Sequence, residues 1–329
     1  MIRRFGRAAG AIGLALALLA TTALPAAAGL GGQSRDITLD GRNDLFARRA
    51  SDNVMLVYPH SGVFNGQQTF TSPGVVVGHG AGIADFYALA RITGGPGPDQ
   101  VARWHQSGGG ELKVYPHSGK LNGTSTWLAP VTLGFGANIN NFTLFHDVNN
   151  DGWDDQIARE AATGDLYVYY HSGVFNGTAT FGARQLLGTG WGPVSWLAMA
   201  DLTGDGVSDL IAADPTVDQG RLTLYPGDNG ISARSGAAQR PAPRFDRVRA
   251  GQARAAAGWG PVTVGTGWTM MDTITLTDVN LDGWPDLVGK VTSNGELLVY
   301  PHSKGVSGMT TFGSPQLIGT GWQPFDIIT

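Results

Sequence analysis

The sequence predicts an all-β protein, a five-bladed β-propeller of four-stranded antiparallel blades. Three observations predict this fold. An acidic loop recurs about every 55 residues, which is typical of a repeat architecture. Each loop is followed by short runs of alternating apolar and polar residues separated by turns, as expected of antiparallel strands. Finally, residues 319–329 match the segment 188–198 that leads into an acidic loop, so a C-terminal strand is expected to close the ring.

Each repeat is expected to supply four strands in the order a, b, c, d. In the third repeat these strands are predicted at 142–146, 156–159, 166–170 and 180–187. In an up-and-down blade the a–b and c–d connections lie at one end, and the b–c and d–a connections at the other. The acidic a–b loops therefore share a rim with the c–d loops, opposite the Gly-Thr-Gly-Trp segments that precede strand a.

The acidic loop reads Asp-x-Asn/Thr-x-Asp-Gly-x-x-Asp and carries oxygen ligands at positions 1, 3, 5 and 9. Calcium takes six to eight oxygen ligands, which such a loop supplies from these side chains and a main-chain carbonyl. We therefore expect up to four Ca²⁺ sites with a mainly structural role. The alternative is a set of Asx turns, which favour the same residues. The candidate ligands are Asp36, Thr38, Asp40, Asp44, Asp147, Asn149, Asp151, Asp155, Asp201, Thr203, Asp205, Asp209, Asp278, Asn280, Asp282 and Asp286.

The second copy of the loop is degenerate. Arg91 replaces its first aspartate, Gly95 and Pro96 replace the third ligand and the glycine, and Asp99 remains. We expect this loop to be free of metal, with the Arg91 guanidinium pairing with Asp99 in place of a cation.

Two further motifs repeat. Tyr-Pro-His-Ser or a close variant follows strand c in four repeats, and adjacent His and Ser invite a nucleophile-and-base interpretation. Neighbouring residues on an extended strand point to opposite faces, which favours a histidine that caps the c–d loop. Trp191, Trp268 and Trp322 end the Gly-Thr-Gly-Trp segments. They are candidates either for stacking on a sugar ring or for packing between blades.

The N-terminal segment predicts that the protein is secreted. Residues 1–28 read as a signal peptide, because three arginines precede a short apolar run and a small-residue cleavage site. The propeller is then 29–329, without membrane insertion after signal cleavage. Loss of the three arginines changes the formal net charge from −4 to −7, which argues against nucleic acid as a partner. An arginine-rich insertion at about 232–258 is expected to be a mobile loop.

The acidic loops resemble those of FG-GAP or VCBS repeats, known from the integrin α-chain propeller and from secreted proteins of actinobacterial type. The resemblance covers 33–329 and implies a β-propeller with calcium in its four complete a–b loops. It implies no single activity. Five blades also resemble tachylectin, a sugar-binding propeller, by architecture and by Gly-x-Gly-Trp loops only.

From these features we expect a secreted recognition module that binds a carbohydrate, such as a glycan or cell-wall polysaccharide, or a cell surface. The alternative is a propeller for adhesion to an extracellular protein. A glycoside hydrolase is a third interpretation, which would need an unrepeated pair of carboxylates near the axis. No His-Glu-x-x-His or Gly-x-Ser-x-Gly motif occurs in the sequence.

Overall fold

The computed structural model describes residues 35–227 and 260–329. The predicted signal peptide 1–28 and the insertion 232–258 lie outside the described residues. Within the described part, no helix is long and apolar enough to cross a membrane.

Twenty strands form five antiparallel sheets of four strands each, as predicted. Blade 1 contains β1 (Leu45–Arg49), β2 (Val54–Tyr58), β3 (Val75–Gly78) and the last strand β20 (Phe325–Ile328). Blade 2 contains β4 (Phe86–Ala90), β5 (Asp99–Trp104), β6 (Glu111–Tyr115) and β7 (Val131–Gly134), and blade 3 contains β8 (Asn140–His146), β9 (Asp155–Glu160), β10 (Leu166–Tyr169) and β11 (Gln185–Gly188). Blade 4 contains β12 (Trp196–Ala200), β13 (Asp209–Asp214), β14 (Arg221–Tyr225) and β15 (Val262–Gly265), and blade 5 contains β16 (Met271–Thr277), β17 (Asp286–Val291), β18 (Leu297–Tyr300) and β19 (Gln316–Gly319).

The C-terminal strand closes the ring. β20 pairs antiparallel with β1 and takes the place of strand a in blade 1. Phe46 and Thr329 exchange two backbone hydrogen bonds of 2.9 Å at the end of this pairing. The first and last strands of the described residues therefore share one sheet, which closes the ring of blades.

The predicted strands of the third repeat are found with small shifts, and strand d shows the largest one. Strand d begins at Gln185 rather than at 180, because Gly177–Ala179 form a 3₁₀ turn and Phe181 pairs in an isolated bridge with His171. The c–d loop is thus a folded unit with its own packing.

Apolar residues of adjacent blades interlock at every blade interface. Five buried clusters fill the five interfaces, and each draws side chains from two neighbouring blades. Strand b is buried on both faces as a result, for example β13 along its whole length, whereas strand c alternates buried and half-buried residues, as in β10. The blades form a stiff ring, and its two rims and its axis remain open to other molecules.

Candidate functional sites

The last aspartate of each acidic loop ties that loop to the c–d loop of the same blade. Asp44 Oδ2 accepts the backbone N–H groups of Ile37 and Thr38 at 2.8 and 2.9 Å, and its Oδ1 accepts the N–H of His60 at 3.0 Å. Asp209 and Asp286 make the corresponding three bonds in their own blades, and Asp155 makes two of them, with the N–H groups of Val148 and His171. These contacts confirm that the two loops share a rim.

The first and fifth positions shape the loop itself. Asp36 accepts the N–H groups of Asp40 and Gly41 at 3.0 and 2.7 Å, and Asp40 accepts the N–H of Arg42 at 3.1 Å. The other three complete loops repeat these Asx-type bonds. The backbone is therefore held in a tight bend with one side of each carboxylate occupied.

The loop oxygens are of the type that calcium binds. Thr38 Oγ1 lies 3.4 Å from Asp36 Oδ1, and Thr203 Oγ1 lies 3.5 Å from Asp201 Oδ1, so each hydroxyl hydrogen-bonds to the first aspartate of its loop. Burial raises the pKa of Asp155 to about 8 and that of Asp286 to about 7, and neighbouring loop carboxylates add to the rise. A cation would relieve this repulsion.

The carboxylates do not, however, converge on one point. Across residues 35–227 and 260–329, no group of three or more His, Cys, Asp or Glu side chains is arranged to hold a metal ion. Calcium binding by these loops remains a prediction, and it requires their oxygens to turn inward by a small side-chain movement.

The degenerate loop of blade 2 keeps the last aspartate, Asp99, and its hydrogen bonds, although it lacks the other two aspartates of the complete loops. Asp99 is fully buried and accepts bonds from Ile92 N–H, Thr93 N–H, Thr93 Oγ1 and His117 N–H at 2.7–3.0 Å. The predicted Arg91–Asp99 ion pair is wrong, since no such pair forms in the described part of the chain. Backbone donors already occupy both oxygens of Asp99, and Arg91 instead donates its backbone N–H to Asp154 at 2.7 Å.

The repeated histidines join one blade to the next. His60 Nδ1 accepts the N–H of Gly62, and His60 Nε2 lies 2.9 Å from the carbonyl oxygen of Val279 in the preceding acidic loop. His117 and His171 make the same two contacts. Nδ1 must then be the acceptor and Nε2 the donor, which defines a neutral tautomer. The adjacent Ser61 donates to the carbonyl of Val63 instead, so the structure supports the capping interpretation.

Acid is expected to destabilise the ring through His146. This imidazole is buried, its Nε2 lies 2.7 Å from Ser208 Oγ, and burial lowers its pKa to about 4. An unfolded histidine binds a proton near pH 6.5, so the stability due to neutral His146 is complete above that pH. It is lost as the pH falls toward 4, by about 3 kcal/mol. Urea unfolding at several pH values should therefore show a steeper acid loss for the native protein than for His146→Gln. Equal slopes would contradict this assignment.

The three tryptophans proposed for ligand stacking are buried between blades. Trp191, Trp268 and Trp322 are exposed by 0%, 8% and 7%. Their rings pack on a tyrosine of the next blade, with centroids 5.0, 4.8 and 4.7 Å from Tyr225, Tyr300 and Tyr58, respectively. No indole face is open to a sugar ring, so the burial favours the packing interpretation over the ligand-binding one.

Basic side chains on strand b hold the blades together at the opposite rim. Arg103 pairs with Asp85 through two contacts of 2.8 and 2.9 Å, and its Nη1 donates to the carbonyls of Ala137 and Asn140 in the next d–a turn. Arg48, Arg159 and Lys290 make equivalent links. The sequence analysis did not predict this role, although each of these basic residues lies four residues after the last aspartate of its loop. We call these residues the strand-b clamps.

A cavity of about 590 Å³ lies on the propeller axis, between the five innermost strands. Phe86, Phe142 and Trp196 occupy equivalent positions near the start of these strands, line the cavity, and are partly exposed. Ser195 and Thr273 add hydroxyl groups to the same wall. Concave sites of this size, with aromatic walls and a few polar groups, are typical of ligand pockets.

The rim formed by the d–a turns exposes an apolar side chain in every blade. The third residue of the d–a turn is exposed in all five, and Ile83, Ile139 and Met270 reach 52%, 51% and 52%. Pro193 and Pro324 occupy the same place in the other two turns.

Comparison with known proteins agrees with this architecture. Residues 147–212, from the third acidic loop into strand b of blade 4, match the model of the FG-GAP-like repeat family. The protein is thus a five-bladed β-propeller, and its segment 147–212 is similar to an FG-GAP-like repeat.

A solved structure of an Agrocybe aegerita lectin, described as recognising non-reducing terminal N-acetylglucosamine, is also similar. It is 16% identical, and the alignment covers 89% of this chain and 80% of that chain at a TM-score of 0.38. No curated protein matches.

Proposed function

We propose that this protein is a secreted, calcium-stabilised recognition module that binds a carbohydrate in its axial cavity. The observation that carries the proposal is the set of partly exposed aromatic residues Phe86, Phe142 and Trp196 around a cavity of about 590 Å³. An aromatic ring presents an apolar face on which the C–H face of a sugar packs. Ser195 and Thr273 offer hydrogen bonds that fix the orientation of such a ligand.

The carboxylates in the cavity favour a binding protein over a glycoside hydrolase. Asp272 and Asp326 line the cavity, but each is held by a strand-b clamp, Lys290 at 3.2 Å and Arg48 at 2.5 Å. A cationic partner favours the ionised carboxylate, whereas a hydrolase requires one carboxylic acid that keeps its proton at neutral pH. We therefore infer a binding module.

A protein partner is the second candidate. The exposed apolar ring of Ile83, Ile139 and Met270 supports it, because such residues repeated along one rim favour a macromolecular contact. Neither candidate uses the acidic rim, whose loops are assigned to stability.

The experiment is binding of residues 29–329 to a glycan and cell-wall polysaccharide array in 1 mM calcium. We expect selective binding that Trp196→Ala abolishes. Phe135→Ala is the matched control, since Phe135 is an exposed aromatic residue that precedes a d–a turn without lining the cavity.

The outcomes separate the candidates. Binding lost only in Trp196→Ala places the sugar in the cavity. Binding lost only in Phe135→Ala places it on the outer rim and contradicts the axial site. A blank array from folded, calcium-loaded protein rejects the carbohydrate and favours the protein partner.

A further inference from the structure

Blade 4 lacks the strand-b clamp that the other blades carry. Ala213 stands where Arg48, Arg103, Arg159 and Lys290 stand, four residues after the last loop aspartate. The strand-a partner is changed as well, because Ser195 replaces the acidic or amide residue of the other blades. Both members of the polar pair are therefore absent from the junction between blades 4 and 5.

The two carbonyl oxygens that would accept hydrogen bonds from the missing cation are nevertheless present. In three junctions an arginine Nη1 donates to two carbonyl oxygens that lie three residues apart in the d–a turn of the next blade. The corresponding residues at the fourth junction are Trp268 and Met271, in the same type of 3₁₀ turn. No strand-b side chain in the described part of the chain reaches them, since alanine ends at Cβ.

The axial cavity extends into this junction. Ala213, Pro215, Gly220, Trp268 and Met271 all line it. Among the described residues that line the cavity, none is a carbonyl residue of the Arg48, Arg103 or Arg159 junctions. The missing side chain has thus left a side pocket that opens from the axis.

We propose that this side pocket, the Ala213 pocket, binds the guanidinium group of a ligand. The ligand's guanidinium donates to the carbonyls of Trp268 and Met271, as arginine does at three equivalent junctions. Trp196 lines the same cavity, and its indole ring offers an aromatic face to the cation. The carboxylate of Asp272 also lines the cavity but is paired with Lys290 at 3.2 Å, so it adds only a general negative field.

This inference goes beyond the proposed function and shares with it only the placing of a ligand in the axial cavity. Its chemistry does not require a sugar. The guanidinium belongs either to a free small molecule or to an arginine side chain of a partner peptide.

The test is a titration of the full protein with methylguanidinium, followed by isothermal calorimetry and by NMR of the Met271 methyl group. We expect one saturable site with millimolar affinity. N-methylurea has the same shape without the charge and should bind at least tenfold more weakly. Ala213→Arg supplies the missing side chain and should weaken methylguanidinium binding at least tenfold.

A second variant makes the test independent of how Ala213→Arg folds. Arg103→Ala should open an equivalent pocket beside Ala137 and Asn140, and so raise the stoichiometry from one site to two. Ala213→Leu fills the original pocket without a charge and should also remove binding there. Equal binding to Ala213→Leu and the native protein, or equal affinity for N-methylurea, would overturn the proposal.

The result is distinguishable from that of the glycan array. Methylguanidinium binding with a blank array leaves the Ala213 pocket standing and rejects the carbohydrate. Glycan binding without a methylguanidinium site rejects the pocket alone. Tighter binding of agmatine than of acetyl-Gly-Arg-Gly-amide identifies a free small molecule as the source of the group, and the reverse order identifies a peptide.

Discussion

Replacement of Asp99 by alanine is expected to lower the free energy of unfolding by roughly 3 to 9 kcal/mol. The carboxylate accepts the backbone N–H groups of Ile92, Thr93 and His117, and it is fully buried. Each donor left without a partner inside the protein costs about 1–3 kcal/mol, and there are three, of which the Ile92 and His117 N–H groups are fully buried. The lower end is already a large part of the 5–15 kcal/mol that stabilises a typical domain. Urea unfolding at neutral pH measures the change.

Asp52→Ala is the control for this substitution. Asp52 pairs with Arg49 at 2.7 Å on the surface, where its side chain is 46% exposed. Exposed pairs contribute about 0–1 kcal/mol, so this variant should unfold near the native midpoint. Similar unfolding curves for the two variants would show that Asp99 is not an anchor. The loss in Asp99→Ala should also be the same with and without calcium, because its loop lacks the metal ligands.

Removal of calcium is expected to lower the free energy of unfolding by about 5 to 6 kcal/mol at 1 mM free calcium. A site with a dissociation constant of about 10⁻⁴ M adds about 1.4 kcal/mol by mass action at that concentration, and the chain has four complete loops. Unfolding in urea should be compared in 1 mM CaCl₂ and in excess chelator, with calorimetry to count the sites.

Asp151→Ala is the loop-specific control. Asp151 is a position-5 side chain whose bonds stay within its own loop, with Asn149 Nδ2 at 3.0 Å and Trp153 N–H at 3.0 Å. It should therefore reduce the number of calcium sites by one with little effect on unfolding in chelator. Superimposable curves with and without calcium would reject calcium and leave the loops as hydrogen-bonded turns.

The contacts that hold the ring together lie at both rims: the position-9 aspartates act at the acidic rim and the strand-b clamps at the opposite rim. On the acidic rim, Asp44 and His60 tie loops of one blade together and reach the preceding blade. On the other rim, Arg103 reaches the following blade. Blade 4 departs from this pattern at both rims, because Gly227 replaces the histidine and Ala213 replaces the strand-b clamp. The Ala213 pocket therefore lies at the one junction, among the described blades, whose strand b carries no clamp residue.

The sequence by itself determined the number of blades, the order of strands, the closure by the C-terminal segment and the sharing of a rim by the acidic and c–d loops. These features follow from local patterns that repeat, such as the alternation in β10 and the glycine at the bend of each complete loop. It also left the choice between packing and stacking open for Trp191.

Only the tertiary structure decided what the side chains at the blade interfaces do. Trp191 is buried because Tyr225 of the next blade covers it, and Asp99 has no place for Arg91 because His117, 18 residues further along, takes its oxygen. The clamp role of Arg103 and the gap at Ala213 depend on carbonyls in a neighbouring blade. Partners that meet across a blade interface are far apart along the chain, so no local pattern specifies them.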